Sequence, residues 1–334
     1  MKIKQLGRTG LKVTEVGLGT MTFGNQADPQ TSFAIMDLAL EAGVTFFDTA
    51  NVYPTGGGPN GRTEEIIGDW IQDRGTRDKI VLATKCRGGM GAGPNDGGLS
   101  RKHILHAVEE SLRRLKTDYI DLYQLHSPDA DTPIDETLRT LDTLVQSGKV
   151  RYIGCSNFPA WQLAEALWTS DKLGLERFES VQPRYNLVFR MIEDELLPLC
   201  KSKNVGVIAY NPLAGGILTG RYRDTGVIEA GTRFGLQGSG KLYQRRYWNE
   251  PIFAEVDKLR SYFEGRGKSL THASLAWVLA QPQVTVTLVG ASKPEQLRDT
   301  LGGVGLVLDA EELATIEEVW YALPKERDTD IARR

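Results

Sequence analysis

Residues 45–53 read TFFDTANVY: an apolar, β-branched run gives way to Asp48, and Tyr53 follows five positions later. Two comparable apolar runs also end in chemistry-bearing side chains, Lys85 in KIVLATK and His126 in YIDLYQLH. A phenol titrates near pH ~10 and is a poor acid at neutrality. A lysine ammonium close by favours the phenolate and lowers that value, and an aspartate beside the lysine keeps it charged and oriented. A histidine in the same place can hydrogen-bond to a substrate oxygen. Such a set suits proton donation to a carbonyl oxygen while the carbonyl carbon receives a nucleophile or a hydride.

These residues must be brought together by the elements that carry them. Eight short apolar runs recur along the chain: EVGLGT, VTFFDTA, KIVLATK, YIDLYQLH, YIGCSN, SVQPRYN, VGVIAYNP and VTVTLVGA. They are apolar almost throughout, as parallel strands covered on both faces are. Helical periodicity lies between them. Thr132-Pro133 opens a stretch with Ile134, Leu138, Leu141 and Val145 on one side, closed by Gly148, and Ser100 opens another through Ile104, Val108, Leu112 and Leu115. Eight strands alternating with helices predict an α/β fold, a (β/α)8 TIM barrel, for which about 250 residues is typical. The 334 residues leave room for insertions. KIKQLGRTGLKVTEV reads as an N-terminal β-hairpin turning at Thr9-Gly10. A long loop after the seventh barrel strand is expected over about 212–268, rich in glycine and mixed charge, and long ordered loops of this kind are often functional. No composition shift marks a second domain, so residues 1–334 are read as one barrel domain.

A Rossmann fold is the rival architecture, because Gly56, Gly58 and Gly61 match GxGxxG. That fingerprint needs an acidic residue at the end of the next strand. The next strand ends in Lys85 instead, so GGGPNG is read as a loop.

In a TIM barrel the catalytic residues stand at the C-terminal ends of the strands. After Asp48, Tyr53, Lys85 and His126, those ends carry Ser156-Asn157, then Gln182 and Arg184, then Tyr210-Asn211, and last Gly290-Ala291-Ser292-Lys293. Lys85 beside a tyrosine also permits Schiff-base aldolase chemistry. Zinc chemistry has no recognisable ligand pattern among His103, His106, His126, His272 and the cysteines.

Composition narrows the classes further. Forty basic against 43 acidic residues give a net charge of -3, which argues against nucleic acid as the main partner. No run approaches the ~20 apolar residues that span a bilayer, and the start lacks a signal-peptide core. Three cysteines without CxxC spacing fit a reducing compartment, so a cytoplasmic protein is expected.

The contexts FFDTANVY, LATK and YQLH resemble the catalytic tetrad of the aldo-keto reductase superfamily, and the similarity runs from LGRTGLKVTEVGLGTMTFG to GASKPEQL. Within it the chain resembles bacterial reductases related to voltage-gated potassium channel β-subunits. The resemblance implies NADP(H) bound in extended form on the barrel, with Tyr53 as general acid, Lys85 and Asp48 tuning it, and His126 orienting the carbonyl. It also implies that Ser156, Asn157 and Gln182 hold the nicotinamide carboxamide and that Tyr210 stacks on the ring. Gly19, Thr20 and Met21 would line the cofactor, and Asn211, Pro212, Leu213 and Gly215 would run along the pyrophosphate. Gly290, Ser292, Lys293 and Gln296 would meet the adenosine end, where a cation and a hydroxyl suit a 2′-phosphate. Thr300, after Asp299, stands where this subgroup commonly has an asparagine. Phe23, Trp161 and Arg184, with Tyr247 or Trp248 from the long loop, are expected at the pocket for a small carbonyl substrate. The channel subunits associate as rings, so a homo-oligomer is compatible with the resemblance. They also make a non-catalytic NADP(H)-binding regulator the alternative to NADPH-dependent reduction of aldehydes or ketones.

Overall fold

The computed structural model describes residues 1–223 and 225–325. Its centre is a closed barrel of parallel strands: β3 (Val16–Gly19), β4 (Phe46–Asp48), β5 (Val81–Cys86), β6 (Ile120–Leu125), β7 (Val150–Ser156), β8 (Phe178–Gln182), β9 (Gly206–Tyr210) and β10 (Val284–Gly290). β10 closes the ring against β3. All eight apolar runs of the sequence are these strands. β1 (Ile3–Gln5) and β2 (Lys12–Thr14) form the antiparallel hairpin, with Ile3 opposite Thr14.

Side chains alternate across each strand, so every second residue points into the barrel. Phe46, Ala83, Leu122, Ile208, Val286 and Leu288 pack together inside, and the hairpin's Leu6 and Val13 join them. The interior is therefore filled, as in TIM barrels generally, and the hairpin plugs one end. Gly17 makes room for this: a Cβ there would lie 2.8 Å from Leu288 and Phe46.

Helices α1 (Pro29–Glu41), α2 (Arg62–Arg74), α3 (Arg101–Leu115), α4 (Ile134–Gln146), α5 (Ala160–Leu173) and α6 (Leu196–Lys203) cover the outside. The predicted helix starts are close to the observed ones: Ser100 caps α3 by accepting from the His103 N–H, and α4 begins one residue after Pro133. The connection from β9 to β10 is long, as expected, yet much of it is helical. It contains α7 (Ser239–Tyr247) and α8 (Glu250–Gly265) before α9 (Leu270–Ala280). Glycines and charges at 231–241 masked that content, because α7 is held by aromatic packing of Phe234, Tyr243 and Tyr247 rather than by a strong local pattern. After β10 come α10 (Pro294–Leu301) and α11 (Ala310–Ala322).

Candidate active site

The two-residue alternation that fills the barrel also builds the site. Phe46 points inward on β4, so Asp48 does as well; Ala83 does on β5, so Lys85 follows; Leu122 on β6 is followed by Gln124. Register places Lys85 opposite Gln124 and Ser156 opposite Gln182. The polar layer thus sits directly on the apolar one.

Lys85 is fully buried. Its Nζ donates to Asp48 Oδ2 at 2.5 Å and to the Thr49 carbonyl at 2.8 Å, which leaves a third N–H uncommitted. Asp48 Oδ1 accepts from Gln124 Nε2 at 3.1 Å and Gln182 Nε2 at 2.8 Å. Both carboxylate oxygens are therefore satisfied, as a buried charge requires. The Tyr53 ring lies with its centroid 5.2 Å from Lys85 Nζ, and the His126 ring packs edge-on against it at 5.7 Å. The loop reaching Tyr53 is fixed by its carbonyl, which accepts from the Gly61 and Thr63 N–H groups.

The expected lowering of the phenol by Lys85 is not what the cleft produces. Burial pushes the Tyr53 phenol well above its ordinary value, and the Asp48 charge adds in the same direction. Burial also lowers the Lys85 ammonium, with Asp48 opposing that shift. The physical reason is that Asp48 offsets the charge Lys85 would present to the phenol, and desolvation then dominates. At neutral pH Tyr53 keeps its proton, which is the form a general acid needs.

A cleft of about 700 Å³ opens above this layer. It is lined by Tyr53 and His126 at one end and by Ser292, Gln296 and Thr300 at the other. Gly19, Thr20, Met21, Ser156, Asn157, Gln182, Tyr210, Asn211, Pro212, Leu213, Gly215 and Gly290 all reach its wall. Asn157 is held by three bonds, giving its Nδ2 hydrogens to the His126 carbonyl and Ser156 Oγ and accepting from the Tyr210 hydroxyl. Gln182 has committed Nε2 to Asp48 and Gln124, so Oε1 is what it offers the cleft. Gly215 and Gly216 take φ of +71° and +104°, conformations that suit glycine and bring backbone to the cavity. Ser292 is tied to Gln296 Oε1 through both its N–H and its hydroxyl.

Several expected residues lie elsewhere. Phe23 ends a turn whose N–H donates to the Thr20 carbonyl, and its ring is fully buried in the core. Trp161 is 63% exposed, because α5 buries the face carrying Leu163, Ala166 and Leu167 and the helical period leaves Trp161 outside. The Arg184 guanidinium stacks 3.4 Å above the Phe189 ring, close under Tyr247, and is not on the cleft wall. Tyr247 is buried too, its hydroxyl accepting from Asn186 and Asn211, while Trp248 packs on Phe234. Lys293 is exposed at the N-cap of α10, beside the lining rather than in it.

The site also uses residues not singled out from the sequence. Gln124, fully buried beneath the cleft on Asp48, had a signal, since it stands two positions before His126 on an alternating strand. Arg233, Tyr243 and Arg246 had none, because only the folding of residues 231–247 over the barrel mouth brings them there. Arg233 Nη1 is buried with no hydrogen-bond partner among the described residues. That unpartnered Nη1 of a guanidinium otherwise lying over the Tyr243 ring, the glycine-walled stretch at 215–216 and the donors and acceptors at Ser156, Asn157 and Gln182 fit a dinucleotide with an anionic centre. Among the described residues no group of three or more His, Cys, Asp or Glu could hold a metal ion, and no helix is long and apolar enough to cross a membrane.

The chain is thus a filled (β/α)8 barrel with a buried lysine-aspartate pair beneath a tyrosine and a histidine. A model of the Aldo/keto reductase family matches residues 15–321, and the chain belongs to that family. It is 41% identical to an uncharacterized oxidoreductase of Bacillus subtilis, YrpG, over 96% of each chain. It is 38% identical to a probable voltage-gated potassium channel subunit beta of Arabidopsis thaliana, over 97% of this chain and 98% of the relative. Protein tas of Escherichia coli is 35% identical over 96% of this chain and 97% of its own. The family makes the chain an oxidoreductase, and its members generally bind NAD(P)H.

Proposed function

We propose that the protein reduces aldehydes or ketones to alcohols with NADPH, Tyr53 serving as general acid. The observation that carries this reading is the Asp48–Lys85 pair, buried and hydrogen-bonded directly beneath Tyr53 and His126 at the end of the cleft. A reduced nicotinamide, when bound, supplies a hydride. The chain's own residues do the rest. Tyr53 holds a proton at its phenol oxygen, and the spare Lys85 N–H stabilises the phenolate that remains once the proton has moved to the substrate oxygen. Asp48 keeps Lys85 in place, and His126 orients the carbonyl. Ser156, Asn157 and Gln182 would hold the carboxamide, Tyr210 the flat ring, and Arg233 with the 211–216 backbone the phosphates. NADP rather than NAD is supported by Ser292 on the cleft wall, with the exposed Lys293 next to it outside the lining.

The test follows NADPH absorbance while the purified protein meets a panel of aromatic, aliphatic and dicarbonyl aldehydes, with Tyr53→Phe alongside. Consumption by the parent with a loss of about 10²- to 10⁴-fold in the variant is expected. Equal rates would remove Tyr53 as the acid. The similarity to potassium channel β-subunits favours a second reading, a regulatory subunit that binds NADP(H). Tight NADPH binding without turnover across the panel, together with recovery of a stable protein partner, would support that reading instead.

A further inference from the structure

One cleft-lining side chain is used by none of the chemistry above. Arg87 stands two residues past Lys85, where the chain leaves β5, with a backbone φ of +127°. That region favours glycine, so a non-glycine residue persists there only where its surroundings over-determine it. Here they do. The Arg87 carbonyl accepts from the Gly98 N–H at 2.9 Å, and Gly88 lies so close to Val52 that a Cβ on it would collide. The backbone thus pins Arg87 against the loop that carries Tyr53.

The Arg87 side chain is half-buried on the cleft wall beside Val52, Tyr53, His126 and Ser127. Its Nε is buried without a hydrogen-bond partner, and among the described residues the guanidinium makes no ion pair within 4.0 Å, its charge reaching Asp129 only at longer range. The neighbouring acids are already engaged. Asp48 is saturated by Lys85, Gln124 and Gln182, and Asp129 accepts from the Leu99 and Asp131 N–H groups and the Thr132 hydroxyl. The groups that fit the dinucleotide come instead from the ends of β3 and of β7 to β10 and from residues 211–233. A guanidinium offers five N–H donors in a planar fork that matches a carboxylate.

We propose that Arg87 is a substrate-binding residue and that the preferred substrates are carbonyl compounds bearing a carboxylate, which Arg87 receives while the carbonyl faces Tyr53 and His126. This rests on the carbonyl-reductase reading. An arginine at the pocket was expected from Arg184; the fold stacks that residue on Phe189 and puts Arg87 on the wall in its place.

With NADPH saturating, kcat and KM are measured for benzaldehyde and 4-carboxybenzaldehyde in the parent, Arg87→Gln and Arg87→Lys, and benzoate and benzamide are titrated into the NADP⁺-loaded protein by calorimetry. The parent should show the lower KM for the carboxylated aldehyde. Arg87→Gln should raise that KM relative to benzaldehyde by about tenfold or more, the size expected of a charge-assisted hydrogen bond, with partial recovery in Arg87→Lys. Benzoate should bind more tightly than benzamide, and only in the forms that keep a cation. A KM ratio unchanged by Arg87→Gln, or a parent that prefers neither aldehyde, overturns the proposal while leaving the reductase intact. If no aldehyde is reduced, the reductase reading fails by itself; Arg87-dependent benzoate binding then still supports an anion site at Arg87, and its absence removes that too.

Discussion

Replacing Asp48 by Asn removes one charge from a site in which almost nothing else can change. Lys85 and Asp48 are 0% and 4% exposed at their side chains, and the amide can still accept from Gln124 or Gln182. What is lost is the counter-ion of a buried ammonium, a change worth about 3–5 kcal/mol. For 334 residues the unfolding entropy is about 0.7 kcal/mol per kelvin, so Tm should fall by about 4–7 °C. The pH dependence supplies the sign. Burial lowers Lys85 below 10.5 in the folded protein, with Asp48 opposing. Between the lowered value and 10.5 the unfolded chain binds more protons, so stability rises with pH across that window. Without Asp48 the folded value drops further and the window widens downward, so the deficit of Asp48→Asn should shrink as pH rises. Adding Lys85→Met should recover much of the Tm, because no buried charge remains, while turnover stays lost. Calorimetric scans from neutral to alkaline pH, beside NADPH oxidation, measure all of this. A Tm within about 1 °C of the parent with the same pH slope would refute a charged buried pair.

The raised phenol of Tyr53 predicts that reduction stays level in its Tyr53-dependent limb through the range below 10.0, the ordinary phenol value; a fall of kcat/KM beginning well under it, measured with NADPH saturating, would show a different titrating acid. Behind the site, Glu64 is fully buried and accepts from Arg114 Nε at 2.8 Å and from the hydroxyl of Thr84, the neighbour of Lys85, at 2.6 Å. Glu64→Ala leaves Arg114 with a 3.5 Å bond to Ser111 Oγ and a 3.7 Å contact to Glu110 as its nearest charge, so a loss of about 3–5 kcal/mol is expected in denaturant unfolding, and one below about 1 kcal/mol would contradict it.

The local pattern carried the barrel far. Eight apolar runs became eight strands, and the strand-end residues Asp48, Ser156, Gln182 and Tyr210 face one cleft, with Lys85 buried beside Asp48, because a two-residue alternation fixes their side once the interior is filled. Helix starts at Ser100 and Pro133 were legible because caps and turn residues act within a few positions. The pocket wall was not legible in the same way. Trp161 was expected at the pocket and Arg87 was not, yet α5 turns the first to solvent and a φ of +127° holds the second at the cleft.

What the sequence by itself determined is thus whatever depends on period and neighbours: the strand count, the hairpin, and the side of each strand on which its last polar residue points. Only the tertiary structure decided the sign of the Tyr53 shift, because desolvation depends on what covers the ring and not on which residues are near it in the chain. The same holds for the cations at the cleft. Arg233 and Arg246 arrive from a stretch that folds back over the barrel mouth, and contacts at that sequence separation are chosen by packing, which no local pattern encodes.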